Sequence, residues 1–545
     1  MKDYCSSHNN TPEEKCKEYD DLFPTFVLPL GRYQKTIFFS SCTLVMLTSC
    51  QFAALLFVYG TPNFHCQSDN STASFCPPNK CCDNCTSYVF DGPFRSIVSE
   101  WNLICDKAYI AATLQACFFA GMLAGGFAAG MISDSFGRRK STFIFVAILI
   151  ISASVSVFAD CISLHGFLRF LMGFGACGNQ TSHFTFVLEL LGPKYRTMVS
   201  GVYQVYFVLG YFIMCFVAYF IPDWRPVVLI TSLPGLLLFA FIRIYPESPR
   251  WLLSQNRLDE ALKFLSKCRD SSVTKTEPRQ LKQALEDIKN AQFATEKNEE
   301  KKIYTSLDLV RTPKLRRRSI VLAFNWFSIS FLTNALLLYI DDLSGNIYLN
   351  FAIINSLQPI SVIITTICAK RFGRRLTHSG ILLITGLLFL VALAVPNDNS
   401  LTRTWIFVAS TTTAAGLWIT IFLIGTELFP TVLRSTAVGT GYTIGRAGAI
   451  LAPYVGMIAQ LPGVSVTLPL TIFGVVAVTT SISALWLPET LNSTMHQTVE
   501  EEERAKEDYS LPCCARPKPE ANDVTLNIRL SEAENDKPEE ITSVL

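Results

Sequence analysis

Charged residues are scarce in this chain. Of its 545 residues, 17% are Asp, Glu, Lys or Arg, and their formal charges sum to +2 at pH 7. Half of the residues are hydrophobic, and the mean hydropathy is +0.32. Soluble domains carry about 25% charged residues, so this composition is typical of a protein with many membrane spans. The small net charge gives no indication that the chain binds nucleic acid.

The sequence also lacks a cleavable leader and a catalytic constellation. Residues 1–35 are polar and include several charges, so we predict that no cleavable signal peptide precedes the first apolar run. No hydrolytic or redox arrangement of side chains is found. The G-x-G-x-x-G pattern at residues 173–178 lies inside an apolar run rather than after a strand, and close helix packing explains it. We therefore predict neither an enzyme nor a cofactor or metal site.

Long apolar runs dominate what is present. Twelve runs can each form a membrane-spanning helix, and they cover residues 36–59, 108–132, 141–159, 167–188, 198–221, 226–242, 319–340, 347–369, 379–395, 405–426, 435–459 and 464–487. Ten are free of charge, while the fourth carries Arg169 and the eleventh carries Arg446. The prediction is an all-α membrane protein with 12 transmembrane helices.

Basic residues lie on alternate loops. The short loops on one side contain Arg138, Arg139, Lys140, Lys194, Arg196, Lys370, Arg371, Arg374, Arg375 and Arg434, whereas those on the other side contain only Arg225 and Arg403. The positive-inside rule places the first side, and both termini, in the cytosol. The predicted regions are a cytosolic N-terminus (1–35), a first six-helix half (36–244), a cytosolic loop (245–318), a second half (319–487) and a cytosolic tail (488–545).

The outer loop at residues 60–107 concentrates the cysteines. It contains Cys66, Cys76, Cys81, Cys82, Cys85 and Cys105. Six cysteines in an oxidising compartment indicate up to three disulfides, with fifteen possible pairings. Cys82 and Cys85 also have the spacing of half a zinc site, but no second half follows. Two glycosylation sequons, at Asn70 and Asn84, lie in the same loop.

The two halves of the chain repeat the same charged motifs. Asp134 to Arg139 matches residues 370–375, and Glu189 to Arg196 matches residues 427–434 with the same seven-residue spacing. A six-span unit has therefore been duplicated. We interpret these charges as a cytosolic latch formed by Asp134, Arg138, Arg139, Glu189, Arg196, Arg374, Arg375, Glu427 and Arg434. The alternative is that the basic loops serve only to set topology.

Arg446 lies near the middle of the eleventh run. A central arginine raises the cost of inserting a helix by about 2.5–3.5 kcal/mol or more, so it should face an internal cavity and hold a negative group. A guanidinium binds a carboxylate through two parallel hydrogen bonds. We predict that Arg446 anchors a substrate carboxylate, with an interhelical ion pair as the alternative.

Several motifs resemble those of one transporter family. The stretch from Gly130 to Arg139 is similar to the signature between spans two and three of the major facilitator superfamily, although Ser135 stands where that signature has Arg. The cysteine-bearing loop, residues 99–105 and residues 488–492 are typical of its organic cation/anion/carnitine transporter family. The resemblance covers residues 33–492 and implies a major facilitator fold of two six-helix halves that works by alternating access.

The resemblance also bears on the branch of that family. Carnitine and organic anion carriers have Arg where this chain has Arg446, whereas cation carriers have Asp. Residues 169–179 and 210–225 resemble the carnitine and zwitterion carriers, which implies that Asn179 binds substrate. Gln180 departs from that branch, which has Tyr at this position.

Aromatic residues supply a second set of candidates. Tyr203, Phe207 and Tyr211 recur every four residues along span five, and Trp326 lies in span seven. A quaternary ammonium group is attracted to aromatic faces, so these rings are candidate ligands for a cationic group. The alternative is that they are packing residues.

Together these features predict a plasma-membrane carrier of small organic ions, most specifically carnitine-like zwitterions or organic cations that carry a carboxylate. An organic anion transporter or exchanger is one alternative, and a non-transporting receptor on a carrier fold is another. Coupling to Na⁺ or H⁺ has no assigned residue. The expected partners are the substrate, the lipid bilayer and a PDZ protein that binds Ser543 to Leu545.

Overall fold

The computed structural model describes residues 19–23, 26–67, 79, 81, 85, 87–192, 195–242, 245–268, 278–298, 305–343, 345–396, 399–460, 467–491 and 499–504. The α-helices in these residues are α1 (Arg32–Ser41), α2 (Thr43–Tyr59), α3 (Ile97–Glu100), α4 (Ala108–Phe136), α5 (Arg138–Ser156), α6 (Ile162–Leu190), α7 (Arg196–Phe220), α8 (Trp224–Ser232), α9 (Pro249–Ser254), α10 (Leu258–Lys267), α11 (Pro278–Asn298), α12 (Pro313–Leu338), α13 (Ile347–Phe372), α14 (Arg374–Ala394), α15 (Ser400–Ala415), α16 (Leu417–Glu427), α17 (Thr431–Gln460), α18 (Leu468–Ala484) and α19 (Val499–Arg504). Strands β1 (Phe64–Gln67) and β2 (Ser87–Phe90) form an antiparallel pair.

Each predicted span coincides with one helix or with two consecutive helices. Eight segments of the described chain are long and apolar enough to cross a membrane, and residues 224–240 and 468–484 form shorter apolar helices. The other two spans are α6 and α17, which are the helices that carry the central arginines. The first half of the molecule comprises α1 to α8, and the second half comprises α12 to α18.

The repeated turns are built in the same way in both halves. Gly137 separates α4 from α5, and Gly373 separates α13 from α14, with φ angles of +96° and +90°. Residues with a side chain rarely adopt such angles, whereas glycine does so readily. The glycine therefore allows two helices to meet at a sharp turn, and the arginine that follows it begins the next helix.

Close packing explains the glycine-rich stretch of α6, as predicted. A Cβ atom on Gly173 would lie 1.9 Å from the backbone oxygen of Phe118 on α4, and one on Gly178 would lie 2.1 Å from the ring of Phe145 on α5. Small residues let membrane helices approach at backbone distance. The G-x-G-x-x-G pattern is thus a packing feature.

A hydrophobic core that is separate from the core of the helix bundle lies beneath the first half. It joins Tyr19 and Leu22, from a 3-10 helix at Tyr19–Leu22, to Trp251 of α9, Phe264 of α10 and Leu285 of α11. The same core includes the adjacent ends of α5, α6 and α7. The central loop and the segment before α1 therefore pack together under the helix bundle.

Candidate functional site

Arg446 lies on the seam between the two halves. Its side chain is on α17 and is 6% exposed. One terminal nitrogen contacts the sulfur of Met122 on α4 at 3.7 Å, the other donates to the Tyr442 hydroxyl, and the guanidinium lies 4.3 Å from the centre of the Tyr442 ring. The Nε atom is buried without a hydrogen-bond partner, and no carboxylate of the described residues forms an ion pair with Arg446. The result is a buried charge with an unused donor.

A second contact crosses the seam beside it. The Tyr442 hydroxyl donates to the side-chain oxygen of Gln180 on α6, at 3.5 Å. Arg446 and Tyr442 are spaced by four residues and so lie on one face of α17. Both residues thus contact the first half, and any separation of the halves at this point alters the surroundings of the guanidinium.

An aromatic cluster adjoins Arg446 in the second half. Trp326 is fully buried, and its ring meets those of Phe422, Trp418 and Tyr442 at centroid distances of 4.8, 6.1 and 6.1 Å. Phe422 is 38% exposed, so this cluster has an accessible edge. Of these four rings only Trp326 was predicted. The four-residue spacing of Trp418 and Phe422 on span ten was the available signal.

The aromatic stripe of α7 divides between two environments. Tyr203 stacks on His183 at 5.8 Å, within the first half. Phe207 and Tyr211 contact each other at 5.2 Å, and Tyr211 also meets Phe351 of the second half at 5.6 Å. Among the described side chains, no ring contact or hydrogen bond joins this stripe to Arg446. Of the predicted aromatic ligands, only Trp326 therefore lies in the cluster that adjoins Arg446 within the described residues.

Asn179 ties two helices together. Its side-chain nitrogen donates to the Thr48 hydroxyl at 2.7 Å and to the backbone oxygen of Leu44 at 3.2 Å, both on α2. The residue is 1% exposed, and its side-chain oxygen has no partner. Its neighbour Gln180 reaches the seam instead. The role of Asn179 in substrate binding stays a prediction.

The charged motif of the first half forms a dense cluster at the basic end, by which we mean the end of the helix bundle whose loops carry most of the basic residues. Arg138 donates to both oxygens of Glu189, at 3.1 and 3.2 Å, and to Asp134 at 2.6 Å. Glu189 also accepts from the Ser248 hydroxyl at 2.6 Å. The backbone nitrogen of Arg139 donates to Glu247 at 2.9 Å.

The second half repeats the arginine–glutamate pair and the hydroxyl bond of this cluster, but Lys370 stands where the first half has Asp134. Arg374 donates to both oxygens of Glu427, at 3.1 and 3.2 Å, and Glu427 accepts from the Thr490 hydroxyl at 2.6 Å. The backbone nitrogens of Arg374 and Arg375 donate to Glu489 at 2.8 and 3.2 Å. The motif at residues 488–490 thus corresponds to residues 246–248 in structure as well as in sequence.

Two further arginines of the predicted latch lie at the starts of helices. Arg196, the first residue of α7, binds both oxygens of Asp20, at 2.7 and 3.0 Å, and so fixes the segment before α1. Arg434 lies in the first turn of α17. Each ion pair described for the latch residues joins elements of one half, so a latch between the halves stays a prediction.

Side-chain contacts between the halves are found towards the outer end, which bears β1 and β2. Phe57 of α2 stacks on Tyr348 of α13 with a centroid distance of 5.6 Å and an interplanar angle of 10°. Thr113 of α4 and Tyr454 of α17 are hydrogen-bonded at 3.2 Å. These contacts close the outer end, whereas the clusters at the basic end hold each half together separately. The conformation is therefore closed at the end of the bundle that bears β1 and β2.

A cavity on the seam between α7 and α13 is not the predicted site. It has a volume of about 610 Å³, and its lining includes Ile213, Phe216 and Leu349. Phe216 and Leu349 are 65% and 58% exposed on a surface of membrane-spanning helices. Arg446 does not line it, and its apolar walls suit lipid chains rather than an ion.

The outer loop contains two disulfides in its described residues. They join Cys66 to Cys85 and Cys81 to Cys105. The second one fastens the loop to the beginning of the 3-10 turn that precedes α4. Cys76, Cys82 and the glycosylation candidates Asn70 and Asn84 lie outside the described residues, as does the PDZ candidate at the C-terminus.

Comparison with known proteins gives consistent matches over most of the chain. The family model of sugar (and other) transporters matches residues 39–501. An organic cation transporter protein of Drosophila melanogaster is 28% identical over 89% of this chain and 94% of its own length. Organic anion transporter 3 of Sus scrofa is 31% identical over 88% of this chain and 86% of its own length.

Solved structures agree with the helix arrangement. The inward-open conformation of the xylose transporter XylE from E. coli superposes with a TM-score of 0.62 and 16% identity, covering 86% of this chain and 99% of XylE. At that level of identity the likeness shows the fold alone.

Proposed function

The chain belongs to the sugar (and other) transporter family of the major facilitator superfamily, among the organic cation and anion transporters of solute carrier family 22, and we propose that its cargo is a small organic ion with a carboxylate. The predicted fold of twelve helices in two halves is confirmed. The protein is a transmembrane transporter and not an enzyme.

The uncompensated guanidinium of Arg446 carries the proposal. Its Nε atom has no partner, its terminal nitrogens contact only a thioether and a phenol, and no described carboxylate pairs with it. In a site shielded from water, a carboxylate that accepts two of its hydrogen bonds supplies the missing counter-charge. A neutral or purely cationic solute would leave the charge unpaired.

The aromatic cluster refines the cargo to a carnitine-like zwitterion. The Tyr442 ring lies beside the guanidinium and the Phe422 ring lies 6.1 Å from that of Tyr442, and aromatic faces stabilise a quaternary ammonium by about 0.5–2 kcal/mol each. One ligand can therefore place its carboxylate on Arg446 and its ammonium against these rings. We propose Trp326, Trp418, Phe422 and Tyr442 as the wall of this subsite.

Transport follows from the position of Arg446 on the seam. The guanidinium belongs to the second half, while Met122 and Gln180 belong to the first. Cargo that replaces these contacts changes the free energy of one arrangement of the halves relative to the other, as alternating access requires. The outer contacts of Phe57 and Tyr348 then break when the site opens outwards.

A panel of labelled substrates tests the proposal. We expect cells that express the wild type to take up carnitine in preference to a dicarboxylate and to a simple quaternary amine. Arg446→Ala should lose carnitine uptake by about 30-fold or more, since a desolvated charge pair lost in this way costs 2–5 kcal/mol. The matched control is Arg371→Ala, an exposed arginine at the basic end, with surface abundance measured for each variant.

The same panel decides between the alternatives. Preference for the dicarboxylate identifies an organic anion carrier, an assignment favoured by the absence of a described carboxylate beside Arg446 and by the likeness to organic anion transporter 3. Saturable binding without flux identifies a receptor on a carrier fold. Uptake that is unchanged in Arg446→Ala would refute the proposed site itself.

We further propose residence in the plasma membrane with both termini in the cytosol, which the distribution of basic residues supports. Binding of a PDZ protein at Ser543 to Leu545 and coupling to Na⁺ or H⁺ stay predictions. Ion replacement during the uptake assay tests the coupling.

A further inference from the structure

A second arginine is buried in the membrane-spanning region. Arg169 lies on α6, two turns from its outer end, and is 0% exposed. Its Nε atom and one terminal nitrogen, Nη1, are buried without hydrogen-bond partners. No ion pair to a carboxylate forms at Arg169 within the described residues. The proposed function makes no use of this charge.

The surroundings of Arg169 are polar but uncharged. Its guanidinium lies 4.5 Å from the centre of the Tyr59 ring. The Tyr59 hydroxyl is hydrogen-bonded to Nε2 of His165 at 2.6 Å, and Nδ1 of His165 lies 3.2 Å from the backbone oxygen of Ser156. This second bond requires a donor on Nδ1, so in the neutral ring Nε2 accepts the Tyr59 proton. The network joins α2, α5 and α6 and supplies no negative charge.

Glu100, a carboxylate connected to this network through Trp224, is already engaged. Glu100 accepts from Arg225 at 2.5 Å and from the Trp224 indole at 2.9 Å, and it also lies 3.6 Å from Arg95. The Trp224 ring packs edge-on against His165 at 5.8 Å, and no ion pair joins Glu100 to Arg169. Glu100 therefore does not neutralise Arg169.

A buried charge without a counter-ion is strongly unfavourable. One aromatic face offsets only a small part of that cost, and two donors of Arg169 are unused. We infer that the unused Nε and Nη1 donors of Arg169 form a binding site for a small monovalent inorganic anion, of which chloride is the representative. The complete enclosure of Arg169 favours a single ion over an organic cargo, so this site is separate from the one at Arg446.

An anion at this position would act on stability. It would neutralise the buried Arg169 charge on α6, next to the loop that carries Trp101, which packs on His165 at 5.5 Å. A ligand that binds only the folded state raises the melting temperature with its concentration. The expected readout is therefore a chloride-dependent melting temperature that does not require transport.

The test compares purified full-length protein in sodium chloride and in sodium gluconate at equal ionic strength. We expect chloride to raise the melting temperature of the wild type, on the order of 1–3 °C for each tenfold increase above its dissociation constant. Arg169→Gln should abolish this shift, and Arg169→Lys, which keeps the positive charge, should retain it. Arg446→Ala should also retain it.

Three results would overturn the inference: no chloride shift in the wild type, a shift that persists in Arg169→Gln, or a shift that Arg446→Ala removes. A second measurement covers the case in which Arg169→Gln does not fold. Anomalous diffraction from wild-type crystals grown in bromide should show a halide beside Arg169. An anomalous difference map without that bromide peak counts equally against the site.

Discussion

At the scale of single residues, Arg446 and Arg169 are buried without an ion pair to any carboxylate in the part of the chain that the structure describes. Arg446 is positioned by Tyr442 and Met122, and Arg169 by Tyr59. Burial of a charge is retained only where a partner or a function compensates for it. The two guanidiniums lie in different surroundings, one on the seam and one inside the first half, so we assign them to different negative ligands.

The aromatic wall can be tested with one substitution. Phe422→Leu keeps an apolar side chain but removes the ring that has the accessible edge. We expect it to raise the KM for a zwitterion with a quaternary ammonium by about 2- to 30-fold, which corresponds to 0.5–2 kcal/mol, and to change the KM for an anion without an ammonium by less. The control is Phe216→Leu, a ring that is 65% exposed on α7. Equal losses for both substrates would show that the ring serves packing.

Some of these residues could be predicted from the sequence and others could not. Arg446 stands out because a charge inside an apolar run has few explanations. The sequence does not single out Trp418, Phe422 and Tyr442, because an aromatic residue in a membrane span is common and its partners depend on how helices pack. Asn179 and Gln180 are adjacent, and the rotation of α6 decides which one faces the seam. A pattern of residue types does not fix that rotation.

At the scale of elements, the repeated turns and clusters were predictable, whereas the breaks inside spans were not. The two-bond arginine–glutamate pair returns in both halves, because each half folds the same unit. The first span is interrupted at Cys42, and the tenth at Gly416, where a Cβ would lie 2.0 Å from the Thr365 hydroxyl oxygen. The sixth continues as a 3-10 helix at Leu233–Phe241, which begins beside Pro234. Proline lacks the N–H that an α-helix needs, yet its effect depends on the neighbouring helices.

The outer loop should respond to pH through Glu100. Burial alone would raise the pKa of Glu100, but hydrogen bonds from Arg225 and Trp224 and the charges of Arg225 and Arg95 outweigh burial, so the pKa is lowered. The folded protein thus binds this proton less readily than the unfolded chain. Its contribution to stability is complete above the unfolded pKa and is lost as the pH falls through the lowered pKa.

We therefore expect the melting temperature of the wild type to fall more steeply with acidification than that of Glu100→Gln, which has no such proton to bind. Melting curves of both purified proteins between neutral and acidic pH check this. Asp91→Asn serves as the control, because Asp91 is 62% exposed and its contact is with His65 on the same hairpin. Identical pH profiles for wild type and Glu100→Gln would mean that the Glu100–Arg225 pair does not stabilise the loop.

At the scale of the whole molecule, the two halves meet along seams. Ion pairs at the basic end act within a half, while the aromatic contacts of Phe57 and Tyr348 cross between halves at the outer end. Motion of one half against the other therefore breaks few polar contacts. This arrangement suits a carrier that alternates between two openings.

Cross-linking tests the outer closure. Phe57→Cys combined with Tyr348→Cys places two thiols on opposite halves where the wild-type rings are 5.6 Å apart. A short cross-linker that forms disulfides with both thiols should abolish uptake, since it prevents outward opening. Reduction of those disulfides should restore uptake. Each single variant treated with the same reagent provides the control. Full uptake by the cross-linked protein would contradict the described closure.

The most direct measurement of the central claim is a cycle of two changes, one in the substrate and one in the protein. Binding of carnitine and of its amide, which lacks the carboxylate charge, is measured for the wild type and for Arg446→Gln. If Arg446 holds the carboxylate, the substitution weakens carnitine binding by about 30-fold or more and leaves binding of the amide nearly unchanged. If the substitution weakens the binding of both ligands equally, or of neither, Arg446 does not bind the carboxylate and the proposed anchor is wrong.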